Sequence, residues 1–70
     1  MDMVEIGKRI KEIRLENKLS QKKLGELIAA SQDTISLWET GKSVPTAEFL
    51  IALAGLFDVS VDYILCLKDY

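Results

Sequence analysis

Three residues, Ala29-Ala30-Ser31, separate two short segments that each read as a helix, and this spacing limits the fold more than any other feature of the chain. Ser20 offers its hydroxyl to the free N–H groups of a helix that starts at Gln21 and runs to about Ile28, with Leu24 and Ile28 on one face. Ser31 opens a second helix in the same way, from Gln32 to about Thr40, with Ile35 and Trp38 pointing inward and Gly41 as its stop. So short a gap prevents the second helix from folding back antiparallel to the first, and the two must cross at a steep angle.

The flanking sequence supplies further helices. Ile6, Ile10 and Ile13 recur at i, i+4 and i+7, which predicts a first helix of about three to four turns ending near Asn17-Lys18. Pro45 cannot continue a helix that needs its N–H. Thr46 behind it is a cap candidate, and Glu48 suits the first turn of a fourth helix whose core stripe is Phe49, Leu50, Leu53 and Phe57. Asp58 takes the chain-reversing left-handed position, and Ser60 caps a fifth helix from Val61 to about Leu67. Five helices without strand alternation predict one compact all-α domain over residues 1–70. Its expected core is Ile6, Ile10, Ile13, Leu19, Leu24, Ile28, Ile35, Trp38, Phe49, Leu50, Leu53, Phe57, Val59 and Ile64.

Composition excludes several functions. The chain is 49% hydrophobic and 29% charged, the balance of a soluble globular domain. No apolar run approaches the roughly 18 residues of a membrane span, and the opening Met1-Asp2-Met3-Val4-Glu5 lacks the features of a signal peptide, so a cytoplasmic protein is expected. With one cysteine, Cys66, and no histidine, the usual zinc sets and any histidine base are missing, and no glycine-rich phosphate loop is present. No enzyme, metal, cofactor or small-molecule ligand is expected. The net charge of −2 argues against a nucleic-acid partner until its distribution is considered: residues 1–23 carry seven basic against four acidic side chains, and the deficit lies downstream.

The pattern Leu19-Ser20-Gln21-x-x-Leu24, then Asp33-Thr34-Ile35-Ser36-x-Trp38-Glu39-x-Gly41-Lys42-x-x-Pro45, closely resembles the Cro/C1-type (XRE, lambda-repressor-like) helix-turn-helix family. Leu53-Ala54-x-x-Phe57-x-Val59-Ser60-x-Asp62 resembles that family's last two helices. The resemblance covers nearly the whole chain. It implies a transcriptional regulator, a repressor by preference, that binds a pseudo-palindromic operator as a homodimer. The second helix of the motif then lies in the major groove with its first residues on base edges. Gln32, Asp33, Ser36 and Leu37 are the candidate readers. Gln21, Lys22, Lys23, Thr34, Lys42 and Ser43 are the candidate phosphate contacts. The resemblance also implies that Gln21 braces Gln32, and that Arg14 and Glu39 form an ion pair supporting the reading helix with Trp38 as its core anchor.

Each role has a plainer alternative. Gln32 can donate and accept at once and so match the edge of adenine, but a first-turn glutamine can also be merely solvated. Asp33 can accept from a cytosine amino group, or simply favour the helix dipole while repelling phosphate. The hydroxyls of Thr34 and Ser36 are phosphate contacts or exposed groups. Leu37, off the inward face, presses on a thymine methyl or is an ordinary surface leucine. Lys22 and Lys23 sit against the dipole of their helix, a penalty that a phosphate would remove, so one of them is read with Lys42 as a backbone contact. Tyr63, Leu67 and Tyr70 crowd the C-terminal end as a candidate dimer surface, or pack on the neighbouring helices; Cys66 beside them is expected to be buried or half-buried. The competing function is a protein-interaction module of the same fold, antitoxin-like or anti-repressor-like, with weak DNA binding. The acidic balance and Asp33 favour it, while the lysines and glutamines oppose it.

Overall fold

The computed structural model describes residues 2–70, so Met1 of the opening stretch lies outside the described residues. Four of the five helices open on a side chain that takes up their free N–H groups. For α1 (Met3–Glu16), Asp2 accepts from the N–H of Val4 at 2.8 Å and of Glu5 at 3.3 Å. Ser20 accepts from Lys23 at 2.9 Å at the start of α2 (Gln21–Ile28), and Ser31 from Thr34 at 3.1 Å at the start of α3 (Gln32–Glu39). Ser60 accepts from Tyr63 at 3.0 Å for α5 (Val61–Ile64). The exception is α4 (Ala47–Phe57). Thr46 has the backbone conformation of an N-cap, but its hydroxyl makes no capping bond, contrary to its reading as a cap.

All five helices stop at a residue in the left-handed region: Lys18, Ala29, Gly41, Asp58 and Cys66 have φ of 57°, 59°, 75°, 54° and 61°. Each of these stops closes with a long backbone bond of the Schellman kind, Leu19 N–H to Arg14 O at 3.1 Å, Ala30 N–H to Gly25 O at 3.0 Å, Lys42 N–H to Leu37 O at 2.9 Å, Val59 N–H to Ala54 O at 3.1 Å and Leu67 N–H to Asp62 O at 2.9 Å. The last of these corrects the expected length of α5. Cys66 turns the chain so early that the helix ends at Ile64, leaving Leu67 outside it and 61% exposed. Cys66 is itself exposed rather than buried, its thiol donating to the carbonyl of Glu5 at 3.5 Å.

At Ala29 the left-handed turn brings Cβ close to the following carbonyl, a strain of about 1 kcal/mol that glycine does not have. Ala29→Gly is therefore expected to raise stability by about 1 kcal/mol, which for a domain this size is a rise of about 4–8 °C in the thermal midpoint. An unchanged or lower midpoint in a calorimetric scan contradicts this account of the turn.

The core joins α1, α2 and α3 and is closed by one residue each from α4 and α5. Ile6, Ile10, Ile13, Leu24, Ile28, Ile35, Trp38, Leu53 and Ile64 are buried. Leu19, Phe49, Leu50, Phe57 and Val59, also predicted for the core, are half-buried at its rim, because a domain this small has little interior beyond one layer of side chains. The Trp38 ring leans on Phe49 with centroids 5.3 Å apart and planes tilted by 59°, which ties α3 to α4. Helix α1 lies chiefly on α3, and α2 on α3, so α3 is held from two sides. Among the described residues no helix is long and apolar enough to cross a membrane.

Candidate nucleic-acid interface

The packing of α2 against α3 depends on a close approach at their turn. A methyl group on Gly25 would run into the carbonyl oxygen of Ala30 and sit 3.5 Å from Cδ1 of Ile35. Gly25 thus gives up helix propensity so that the turn can fold back onto α2. The left-handed position of the turn is taken by Ala29.

With Ile35 and Trp38 buried, the opposite side of α3 is free. Gln32 and Asp33 in its first turn are exposed, Ser36 is half-buried, and Leu37 is 44% exposed. These four side chains, all predicted readers, lie on one helix within two turns. The Thr34 hydroxyl is engaged locally, 2.8 Å from the Ser31 hydroxyl, with either atom able to donate. After the helix, the N–H groups of Lys42 and Ser43 both bond to the Leu37 carbonyl, at 2.9 and 3.3 Å, which fixes the loop and leaves the Lys42 side chain exposed. The two lysines of α2 differ. Lys23 lies 3.9 Å from Glu26, both exposed, whereas Lys22 and Lys42 have no acidic partner within 4.0 Å among the described residues. Lys22 is consequently the better phosphate candidate of the pair.

Beneath this surface runs a buried ionic link. Arg14 Nε donates to Glu39 Oε2 at 2.7 Å and Nη2 to Oε1 at 2.8 Å, a two-pronged pair whose side chains are 9% and 3% exposed. Arg14 Nη1 also donates to the Leu19 carbonyl at 2.8 Å. One guanidinium thereby joins α1, the residue before the α2 cap, and the end of α3. The hydrogen bonds to Glu39 push the Arg14 pKa up from its ordinary value, with burial acting against them. Trp38, 2% exposed, is held in the core beside this link.

One expectation is not met, and one residue was missed. Gln21 forms no hydrogen bond with Gln32 among the described residues; its Nε2 donates instead to Glu39 Oε1 at 3.1 Å. The reason is that α2 presents its first turn to the end of α3, where Glu39 supplies a carboxylate that can only accept. The residue missing from the sequence reading is Gly7, buried where α1 meets the end of α3. A methyl there would run into the Trp38 carbonyl oxygen and lie 3.2 Å from the Glu39 carbonyl carbon. A glycine inside the apolar stripe of a helix, next to Ile6 and three before Ile10, was the available signal. At the C-terminal end, Leu67 is 61% and Tyr70 79% exposed, while Tyr63 is half-buried under the guanidinium of Arg9, 4.1 Å from its ring centre.

Comparison with known proteins agrees with this geometry. The helix-turn-helix family model matches residues 10–64. The uncharacterized HTH-type transcriptional regulator YobD of Bacillus subtilis is 38% identical over 61 residues, which are 87% of this chain and 54% of that protein. Repressor protein C2 of Salmonella phage P22 is 37% identical over 60 residues, 86% of this chain and 28% of that protein. The chain thus spans about half the length, or less, of these curated relatives. The crystal structure of the P22 c2 repressor with a synthetic operator superposes with a TM-score of 0.80 at 36% identity, covering 84% of this chain and 89% of that one. With the family model matching most of its length, and these relatives agreeing in sequence and fold, the chain belongs to the helix-turn-helix family of the Cro/C1 type.

Proposed function

We propose that this chain is the DNA-binding unit of a cytoplasmic, sequence-specific transcriptional regulator, a repressor, that lays α3 in the major groove of a pseudo-palindromic operator. The observation that carries the reading is the outer side of α3, with Gln32, Asp33 and Leu37 exposed, Ser36 half-buried beside them, and the unpaired Lys22 and Lys42 on flanking segments. The P22 c2 repressor, solved on operator DNA, supports it. Gln32 pairs with adenine through its two-way carboxamide, and Leu37 meets a thymine methyl. Asp33 accepts from a cytosine amino group. Lys22, Lys42, Gln21 and the Thr34 and Ser43 hydroxyls hold the phosphates. Two copies bind half-sites about 34–36 Å apart. They meet through the C-terminal surface around Tyr63, Leu67 and Tyr70. The function requires no catalysis and no cofactor.

Selection of bound duplexes from a random pool tests the reading directly: recovery of a palindrome supports it. The absence of any salt-dependent binding to duplex DNA returns the chain to the protein-interaction reading that its acidic balance favours. On the selected operator, Gln32→Ala is expected to weaken binding by about 1–3 kcal/mol with little change on random duplex. Equal losses on both remove Gln32 from the base readers. Lys42→Ala is expected to weaken both alike and to reduce the slope of log affinity against log salt by about one, as measured by fluorescence anisotropy. A slope that does not move identifies Lys42 as a solvated charge.

A further inference from the structure

The Gln21 carboxamide is held before any ligand arrives. A carboxylate has no hydrogen to donate, so the amide atom 3.1 Å from Glu39 Oε1 is the nitrogen, and the orientation of the amide follows. One hydrogen of Nε2 is used by Glu39. The second hydrogen and Oε1 are left over, on a half-buried side chain in the first turn of α2. The same Oε1 of Glu39 accepts from Arg14 Nη2 at 2.8 Å while Oε2 accepts from Nε at 2.7 Å, so the carboxylate beside Gln21 is neutralised at close range. Without that cancellation, a negative charge so near a phosphate contact would repel the DNA backbone.

We infer that Glu39 is a positioning residue for phosphate binding: its bond to Gln21 fixes the carboxamide with the remaining N–H available to a DNA phosphate, and Arg14 removes the charge that would oppose it. The inference rests on the DNA-binding reading and deepens it. A glutamine already fixed loses little side-chain freedom when it meets the phosphate, so the hydrogen bond adds more to affinity than one from a free side chain. The ion pair then serves DNA contact as well as folding.

The test compares Gln21→Ala in two backgrounds. One is the natural protein. The other carries Arg14→Met with Glu39→Leu, an apolar exchange of the buried pair that keeps the domain folded, as a thermal melt verifies. Affinity is measured on the selected duplex by anisotropy. In the natural background, Gln21→Ala is expected to weaken binding about tenfold. The apolar exchange alone is expected to weaken it by a similar factor, and adding Gln21→Ala to it to change affinity less than about twofold, because the positioning is already lost. An equal factor for Gln21→Ala in both backgrounds overturns the inference. If the natural protein shows no salt-linked duplex binding, it is the DNA-binding reading that fails. Should the apolar exchange not fold, the side-chain amide of Gln21 in the natural protein decides by NMR relaxation: an ordered amide is expected, and an order parameter below about 0.6 overturns the positioning role.

Discussion

Replacing Glu39 by alanine is expected to lower folding stability by about 3–5 kcal/mol, measured by urea denaturation. The side chain is 3% exposed and accepts both prongs of a guanidinium that is itself 9% exposed, so its removal strands a positive charge in a site shaped for a pair. For a chain of this length, total stability is about 4–10 kcal/mol, so the loss takes a large share of it. The cause is the unpaired buried ion, not the loss of side-chain volume. Replacing both partners together, Arg14→Met with Glu39→Leu, leaves no stranded ion and is expected to cost about 1–2 kcal/mol, most of it from the Leu19 carbonyl that loses its donor. If the double replacement is as harmful as the single one, packing rather than charge governs the site. Because the hydrogen bonds to Glu39 raise the folded-state pKa of Arg14, the stability from that shift is fully present below the unfolded value and is lost only as pH rises through the folded one, in strong alkali. Across the neutral range the arginine's contribution is constant.

The elements that the sequence announced are those whose signals are local. Ser20, Ser31 and Ser60 each hold the third N–H after them, a bond made within one turn of chain and so readable from residue order alone. The buried faces of α1, α2 and α3 follow from helical spacing in the same way. What escaped depends on which segments meet. Thr46 has the residue type of a cap, yet nothing local decides whether its hydroxyl turns toward the helix. Lys18 and Cys66 reverse the chain without being glycine, because the backbone bonds from Leu19 to Arg14 and from Leu67 to Asp62 offset part of the left-handed strain. The site divides along the same line. The exposure of Gln32, Asp33 and Leu37 follows from the burial of Ile35 and Trp38, a matter of spacing, whereas the partner of Gln21 is set by where α2 touches the end of α3.

Gly7 offers the sharpest check on that contact, because Gly55 provides a control of the same chemistry. Both lie inside helices, where exchanging glycine for alanine gains about 0.5–1 kcal/mol by restricting the unfolded chain. At Gly55 nothing lies within 4 Å of the added methyl, so Gly55→Ala is expected to show that gain unopposed. At Gly7 the methyl meets the Trp38 carbonyl oxygen, with the Trp38 carbonyl carbon at 3.1 Å and that of Glu39 at 3.2 Å. These are backbone atoms and cannot rotate away as a side-chain tip would. The two helices have to separate, which loosens the packing of Ile6 and Ile10 and stretches the Arg14–Glu39 pair about two turns further along α1. Gly7→Ala is accordingly expected to destabilise by about 3 kcal/mol. It is also expected to weaken operator binding in the protein that stays folded, since the displaced element is the one proposed to enter the groove. Denaturation curves and anisotropy on the two variants side by side decide the matter. If both gain stability, α1 and α3 are not in the close contact that fixes the proposed reading surface.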